Sequence, residues 1–220
     1  LFNSAPDYET KSSYSATVTA SDGENSSSQA ITVTILDVDD VAPVFTSSAT
    51  FSAAENQTSI GVVTATDVDT DNSLIVFSVS GSELLITSGG ILTFANAPDY
   101  ETKTSYSATV TASDGTNSAT QDITVNITDA NDSAPEFTSS ATFSATENQT
   151  SIGTVTATDE DGDTISYSLS GTDASSMSIN SSNGILLFNS APDYETKSSY
   201  SATVTASDGT NSTSQNITII

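Results

Sequence analysis

The sequence predicts an all-β chain built from tandem antiparallel β-sandwich modules, and repeated segments are the first observation that supports this. A segment beginning Ala-Pro-Asp-Tyr-Glu-Thr-Lys occurs three times, at residues 5–23, 97–115 and 191–209. A second segment occurs twice, at residues 46–67 and 138–159, and its two copies start 92 residues apart. This period is too long for one turn of a solenoid and fits a small, independently folded β-domain.

The alternation of apolar and small polar residues is the second observation. In the middle repeat, Tyr106, Ala108 and Val110 alternate with serine and threonine, which predicts a half-buried strand continuing to residue 113. Further strands are predicted at 44–53, 59–66, 73–80, 90–94 and 123–127. Turns rich in Gly, Asn and Asp separate them, and no segment has helical periodicity. Six or seven strands per module predict an antiparallel sandwich.

Acidic clusters followed by proline mark the boundaries between modules. The sequences DVDDVAP, from residue 37, and DANDSAP, from residue 129, each follow a predicted last strand and precede a predicted first strand. The chain therefore divides into the second half of a truncated repeat with its linker, a complete repeat with its linker, and a second complete repeat, at residues 1–40, 41–132 and 133–220. We expect the half-repeat to expose an apolar face, and its missing strands to come from preceding sequence or from another copy.

The charge of the chain excludes several classes of partner. There are 28 acidic residues and 3 basic residues, which gives a formal net charge of −25. Nucleic acid and anionic membranes would repel such a chain, so metal cations are its natural counter-charge. The absence of cysteine excludes disulfides and thiolate metal sites, and it is compatible with secretion. No apolar run approaches the length of a membrane span, and no signal peptide is visible.

The acidic residues recur in five motifs per repeat, and these motifs predict a calcium site. They are Glu in ENQ, Asp-x-Glu in DYE, the linker cluster, Asp-x-Asp after TAT, and Asp in ASDG. Many hard oxygen ligands without His or Cys favour Ca²⁺ over zinc or copper. The Asp-x-Asp-x-Asp segments begin like an EF-hand loop, but they lack its sixth-position Gly and twelfth-position Glu. A glycosidase acid pair is disfavoured because the carboxylate pairs recur in every module.

The order of these motifs resembles the calcium-site series of the cadherin repeat. The matching sequences are x-E-N, D-x-E, D-x-N-D-x-A-P, A-T-D-x-D and A-S-D-G, and the resemblance covers the whole chain. It implies Greek-key, immunoglobulin-like β-sandwich domains of the cadherin type in an elongated array. It also implies that the motifs of successive domains converge at each linker and hold up to three Ca²⁺ ions.

The resemblance assigns ligands to two linkers. At the second linker these are Glu55, Asp99, Glu101, Asp129, Asn131, Asp132, Asp159, Asp161 and Asp208. At the first linker they are Asp7, Glu9, Asp37, Asp39, Asp40, Asp67, Asp69 and Asp114. The chain departs from the family pattern where Asp39 replaces the linker Asn, where Tyr replaces Arg in the D-R-E motif, and where the Gly-Asn pair after Asp-x-Asp is missing. The third ion is therefore the one that the sequence supports least.

The function that the sequence predicts is structural. The near-identical repeats without Cys or Arg are most similar to the extender repeats of bacterial surface adhesins, in which calcium would stiffen a secreted or cell-surface array. Neighbouring repeats, and other copies in a fibre, are the expected protein partners. The alternative is a module that binds directly, to its own kind or to a polysaccharide. This would require a non-repeating exposed aromatic or polar cluster, and none is visible in the sequence. All 15 aromatic residues occupy repeated positions and are interpreted as core. Catalysis is not expected.

Overall fold

β-Strands form the regular structure of the chain apart from two single 3₁₀ turns, at Asn72–Leu74 and Ala174–Ser176. The computed structural model describes all residues from 1 to 220. They divide into two compact units, Leu1–Thr128 and Asp129–Ile220. The structure contains no helix with the length and apolarity that a membrane crossing requires.

The first unit contains the half-repeat and one complete module. Its strands are β1 (Ser13–Ser21), β2 (Ser26–Thr34), β3 (Val44–Phe45), β4 (Thr50–Ala54), β5 (Ser59–Val62), β6 (Ala65–Thr66), β7 (Val76–Val79), β8 (Leu84–Ile86), β9 (Ile91–Phe94), β10 (Ser105–Ser113) and β11 (Ser118–Thr128). In the complete module the two main sheets have the orders β4-β11-β10-β7 and β5-β9-β8, and β3 pairs with β6. Only β4 and β11 pair in parallel. This is the immunoglobulin-like β-sandwich that the sequence predicts.

The second unit repeats this topology. Its strands are β12 (Glu136–Phe137), β13 (Thr142–Phe143), β14 (Ser151–Thr154), β15 (Ala157–Thr158), β16 (Ser166–Ser170), β17 (Met177–Ile179), β18 (Ile185–Phe188), β19 (Tyr200–Ser207) and β20 (Ser212–Ile219). The sheet orders are β13-β20-β19-β16 and β14-β18-β17, with β12 paired to β15. Each of the two complete modules therefore has its own pair of sheets.

Apolar side chains from both sheets fill the core of each complete module. In the first unit, Leu92 comes from one sheet and Val110 and Val125 from the other, and all three are fully buried. Leu186 and Val204 occupy the equivalent positions in the second unit. Since neighbouring residues in a strand face opposite sides, the serine and threonine residues between them face solvent. Each core is closed within its own module.

The half-repeat is a two-stranded hairpin without a covering sheet. Strands β1 and β2 pair over nine positions, from Ser13 with Thr34 to Ser21 with Ser26. The equivalent hairpins β10–β11 and β19–β20 are buried on one face, but in β1–β2 the apolar side chains remain exposed, namely those of Val18, Ile31 and Val33. This confirms the exposed apolar face predicted for this segment.

Two predicted strands are each divided in the structure, and one further strand was not predicted. The predicted strand 44–53 is interrupted, because the N–H groups of residues 46 and 47 both donate to Thr64 O and the Ser48 hydroxyl accepts from the next strand's first N–H. Its two parts, β3 and β4, join different sheets. The predicted strand 59–66 likewise divides into β5 and β6. Strand β8 was not predicted, because three residues are too few to show an alternating pattern.

Each lysine of the chain stacks on a tyrosine of its own repeat. The Nζ atoms of Lys11, Lys103 and Lys197 lie 4.5, 4.2 and 4.7 Å from the ring centroids of the tyrosines three residues later. Lys103 also pairs with Glu83 at 2.5 Å, and Lys197 pairs with Asp173. These contacts fasten the Asp-Tyr-Glu-Thr turn to the hairpin that follows it.

A glycine closes the turn before β9 and before β18. Gly90 has φ of +87° and its carbonyl accepts from Val63 N at 2.8 Å. A Cβ atom at Gly90 would lie 2.2 Å from Val63 O, so a side chain is excluded by both the dihedral angle and the space. Gly184 is equivalent, with φ of +68° and a Cβ position 2.0 Å from Val155 O.

We expect Gly90→Ala to destabilise the complete module of the first unit by at least about 1 kcal/mol more than Gly81→Ala. Both glycines have a similar positive φ, of +87° and +80°, but nothing lies within 4 Å of a Cβ atom at Gly81. The pair of variants therefore separates backbone strain from steric overlap. Urea unfolding followed by fluorescence or circular dichroism measures the difference, and equal destabilisation by the two variants would show that the overlap with Val63 is relieved.

Candidate metal centre

An aspartate of the first complete module binds the backbone of the first linker. Asp69 follows β6, and its Oδ2 atom accepts hydrogen bonds from Asp40 N at 3.1 Å and from Val41 N at 2.8 Å. This carboxylate therefore fixes the linker to the module that follows it. It is the second aspartate of the Asp-x-Asp motif that the sequence analysis assigned.

The second unit contains the same contact. Asp161 Oδ2 accepts from Asp132 N at 3.0 Å and from Ser133 N at 2.9 Å. The equivalence holds residue by residue, since Asp161 and Asp69 occupy the same repeat position. The same geometry therefore occurs in both copies of the repeat.

Three further aspartates use one oxygen each to close a backbone turn. Asp67 Oδ1 accepts from the N–H groups two and three residues later, at 2.8 and 2.9 Å. Asp114 Oδ1 does the same in the loop between β10 and β11, at 2.7 and 2.6 Å. Asp208 repeats the Asp114 turn in the second unit, at 2.6 Å to both N–H groups. Such Asx turns orient the carboxylate, since one of its oxygens is fixed.

Asp159 likewise accepts through Oδ1, from Asp163 N at 3.2 Å. The second oxygen of each of these carboxylates is buried without a hydrogen-bond partner. The atoms are Asp67 Oδ2, Asp69 Oδ1 and Asp114 Oδ2 in the first unit, and Asp159 Oδ2, Asp161 Oδ1 and Asp208 Oδ2 in the second. Burying an unpaired polar group costs about 1–3 kcal/mol, and more if the group is charged. The protein offers no donor to these atoms, and the same three positions are unpaired in both copies. A bound cation is the partner that fits hard, acceptor-only oxygens.

A cluster of carboxylates from the half-repeat and its linker lies next to Asp69. Oxygen atoms of Glu9, Asp37 and Asp69 all lie within 4.8 Å of one another. A hydrogen bond from its own backbone lowers the pKa of Glu9, but burial and the adjacent Asp69 and Asp7 carboxylates outweigh it and raise this pKa to about 7. Like charges this close repel unless a proton or a cation lies between them.

The remaining linker ligands of the first unit differ in their contacts. Asp39 is half-buried, and its Oδ1 atom accepts from Asn117 Nδ2 at 3.0 Å while its Oδ2 atom accepts from Thr70 Oγ1 at 3.4 Å. Asp40 is exposed at its side chain and is bound through its N–H group. Asp7 directs both carboxylate oxygens to Thr10, at 3.0 and 2.9 Å. The cluster described above does not include Asp7.

Some of the predicted ligands of the second linker belong to the first unit. Glu55 is buried, and its Oε2 atom accepts from Tyr100 N at 2.8 Å. Asp99 closes its own turn, with both oxygens accepting from Thr102 at 3.0 Å. Glu101 is half-buried. The first unit therefore contains one buried carboxylate, that of Glu55, and a turn that carries two further acidic residues, Asp99 and Glu101.

The other predicted ligands of the second linker lie in the second unit. Asn131 is half-buried, and its Nδ2 atom donates to Asp163 Oδ2 at 2.5 Å, whereas Asp129 and Asp132 are exposed. Carboxylate oxygens of Asp159, Asp161 and Asp163 lie within 4.8 Å of one another. For Asp208, burial works to raise the pKa, but hydrogen bonds from the N–H groups of the next two or three residues hold the pKa below its ordinary value.

The structure adds several residues that the sequence motifs do not include. Asp163 joins the carboxylate group of the second unit, and its position in an Asp-x-Asp-x-Asp run is the signal that could have indicated it. Glu147, Asp193 and Glu195 also have carboxylate oxygens within 4.8 Å of one another, and the repeat relates Glu147 to Glu55. The linker contacts of Asn117 and Asn211 had no signal beyond a turn motif.

Comparison with known sequences gives a family match over most of the chain. Residues 49–128 and 140–220 match the cadherin domain family. Cadherin EGF LAG seven-pass G-type receptor 1 of Mus musculus is 36% identical over 200 residues, which are 83% of this chain and 7% of that protein. Protocadherin-like wing polarity protein stan of Drosophila melanogaster is 34% identical over 232 residues, which cover 93% and 6% of the two proteins. The chain spans less than a tenth of the length of these relatives.

Solved structures give the same match. The structure of mouse cadherin-23 EC22-24 has a TM-score of 0.77 and 26% identity, and the alignment covers 99% of this chain and 77% of that chain. The protocadherin gammaB7 EC3-6 cis-dimer structure has a TM-score of 0.80 and 25% identity, with 97% and 61% covered. Both are tandem arrays of the same kind of domain.

We expect Asp69→Asn to stabilise the calcium-free chain and to weaken its calcium binding. An Asn can still accept the two linker hydrogen bonds through one oxygen, but it removes the unpaired anionic oxygen and a charge beside Glu9. In chelator, the unfolding midpoint should rise by about 2 °C or more. In calorimetric titration, calcium affinity should fall by about tenfold or more.

Asp122→Asn is the matched control for this variant. Asp122 is an exposed carboxylate of β11 in the same unit, and it accepts from Thr109 Oγ1 at 2.6 Å, a bond that Asn can keep. It changes the net charge equally and should leave calcium binding unaltered. Equal effects of the two variants would mean that general charge reduction, and not the Asp69 oxygen, is responsible.

Proposed function

Since this chain belongs to the cadherin family, we propose that it consists of structural repeats whose linkers bind Ca²⁺ and become rigid when they do so. The observation that carries the proposal is the set of buried, unpaired aspartate oxygens, which recurs at the same three positions in two modules. Cadherin domains generally bind calcium, and the relatives of this chain include a seven-pass G-type receptor. The unpaired oxygens are the feature of this chain itself that fits a divalent cation.

At the first linker, calcium would join parts of the first unit that otherwise repel. Glu9 and Asp37 precede or belong to the linker, whereas Asp69 belongs to the complete module. Their like charges favour separation in the absence of an ion, and a cation reverses the sign of that interaction. We assign Asp7, Asp39, Asp40, Asp67 and Asp114 to the same centre, the first of them as a support of the turn that carries Glu9.

The repeat of the sequence carries the same proposal to the second linker. The residues assigned there are Glu55, Asp99, Glu101, Asp129, Asn131, Asp132, Asp159, Asp161 and Asp208. In the second unit, the unpaired oxygens of three of these aspartates support the assignment. Affinity is expected in the range of extracellular calcium modules, on the order of 10⁻⁴ to 10⁻³ M.

The biological role proposed is that of an extender in an extracellular or cell-surface adhesive protein. A structural role is supported by repeats that share their aromatic positions and most positions of their five acidic motifs, so that these residues are not particular to one module. We propose a bacterial adhesin as the parent, because the near-identical repeats without cysteine or arginine are typical of such arrays. Neighbouring repeats and further copies of the chain are the proposed protein partners.

Small-angle scattering tests whether calcium makes the linkers rigid. With millimolar calcium, residues 1–220 should scatter as an extended rod. In chelator at the same ionic strength, the profile should become that of a flexible chain with a broader distance distribution. A double variant, Asp69→Asn with Asp161→Asn, should need about tenfold or more additional calcium for the same change in the scattering profile. A wild-type profile that does not change between calcium and chelator would contradict the proposed role.

A second candidate function, direct adhesion, is favoured by an apolar surface patch that the second unit repeats only at Ile91, whose equivalent is Ile185. Val62, Leu85 and Ile91 are each about half exposed on the outer face of the β5-β9-β8 sheet, at 51%, 51% and 54%. Val62 pairs with Ile91, and Leu85 pairs with the residue two positions beyond Ile91, so the three side chains are neighbours. The equivalent positions of Val62 and Leu85 in the second unit are Thr154 and Ser178.

Replacing the patch with the residues of the second unit tests this candidate. Val62→Thr with Leu85→Ser keeps the strands and removes exposed apolar area. If the patch mediates self-adhesion, beads coated with the wild-type chain should aggregate in calcium, and beads coated with the double variant should aggregate several-fold less. The absence of aggregation by wild-type beads would contradict homophilic adhesion through this patch.

A further inference from the structure

The side-chain amide of Asn211 lies among three oxygen atoms of the linker. Its Nδ2 atom donates to Asn131 Oδ1 at 2.7 Å and to Ser133 O at 3.1 Å, and it lies 3.4 Å from Asn131 O. An amide nitrogen has only two hydrogens, so the three oxygens share them. Oxygens converging on one point from a side chain and two backbone carbonyls are the arrangement that a hard cation also uses.

The first unit has the same arrangement. Asn117 Nδ2 donates to Asp39 Oδ1 at 3.0 Å, to Asp39 O at 3.2 Å and to Val41 O at 3.5 Å. Asn117 and Asn211 occupy the same position, three residues after the aspartate of the Asp-Gly turn. The contact is therefore a property of the repeat.

The hydrogen-bond network determines which way the Asn211 amide faces. Asn131 must direct its Nδ2 atom to the Asp163 carboxylate, since a carboxylate only accepts, and the distance is 2.5 Å. Asn131 Oδ1 then faces Asn211, which must donate. With the opposite orientation, the Asn211 side-chain oxygen would face three oxygens without a hydrogen between them.

The turn that carries the amide is fixed independently of the linker. Asn211 N donates to Asp208 Oδ1 at 2.6 Å, and Asp208 N donates to Asn211 O at 3.3 Å. Asn25 makes the same two backbone contacts with Asp22 in the half-repeat, at 2.7 and 3.2 Å, but its side chain is exposed. The same asparagine turn therefore occurs with linker contacts at Asn117 and Asn211, and with an exposed side chain at Asn25.

We propose that the amides of Asn117 and Asn211 occupy the position in which the linker oxygens would otherwise hold a cation. The amide then clamps the linker to its following module without metal. In this arrangement Asn131 Oδ1 and Asp39 Oδ1 accept from the amide and are withdrawn from the calcium ligands assigned above. Each linker therefore binds one ion fewer than the three that the cadherin resemblance implies. This inference rests on the proposed calcium function. It assigns to Asn117 and Asn211 the role of positioning residues, because they orient Asp39 and Asn131.

Asn211→Asp is the variant that tests the clamp, because it has the same shape and replaces a donor by an acceptor. Without calcium, the carboxylate that this variant introduces would face three oxygens, so backbone amide exchange at residues 132 and 133 should become about tenfold faster than in the wild type. With calcium, those same oxygens and the new carboxylate would complete a site. The variant should then bind one calcium ion more per chain than the wild type, measured by native mass spectrometry and calorimetric titration.

Asn25→Asp is the control, and it should change neither linker exchange nor calcium stoichiometry. Unchanged amide exchange in the calcium-free Asn211→Asp chain would overturn the clamp. An unchanged or reduced number of bound calcium ions would overturn the inference that the amide occupies a cation position. Failure of the wild-type chain to bind calcium would contradict the proposed function alone, because the exchange measurement in chelator does not depend on it.

Discussion

The hydrogen bonds from linker N–H groups to one oxygen of Asp69 or Asp161 are the contact on which the arrangement of both centres depends. They use Oδ2 and leave Oδ1 buried and without a partner. A single carboxylate therefore has two roles. One oxygen accepts the hydrogen bonds that hold the linker backbone, and the other remains an anionic oxygen that needs neutralisation. The same division between the two oxygens occurs at Asp67 and Asp114, where backbone turns replace the linker.

The turn that follows β9 in each complete module is supported by a different kind of contact. Lys103 has the Tyr106 ring below it and Glu83 beside it, while Phe94 meets the edge of Tyr106 with ring centroids 5.1 Å apart. Aromatic packing and a single cation hold a loop whose other charged side chains, Asp99 and Glu101, are both acidic. In a chain with a net charge of −25, three lysines at one repeat position are therefore structural, since each is paired with its own tyrosine.

The sequence was sufficient to predict the sandwich, because alternation in β10 and β11 and their copies corresponds directly to burial. It was insufficient for the strand that divides into β3 and β4. Its break is caused by tertiary hydrogen bonds to Thr64 O, and no local pattern encodes them. For the centre, the motifs selected the aspartates whose second oxygens are unpaired. They could not select Asn211, since an asparagine after Asp-Gly is equally typical of an ordinary turn, as Asn25 shows.

The two linkers solve one electrostatic problem with different residues. Asp39 adds a carboxylate to the first linker, where Thr70 Oγ1 and the Asn117 amide supply neutral donors to its two oxygens. The second linker has Asn131 at this position, and its amide donates to Asp163. An aspartate in place of Asn131 would repel the Asp163 carboxylate. Where the linker residue is Asn131, its neighbour is the acceptor Asp163, and where it is Asp39, its neighbour is the donor Thr70. What is common to both linkers is the requirement that each oxygen meets either a hydrogen or a cation, and that requirement limits which residues the repeat can exchange.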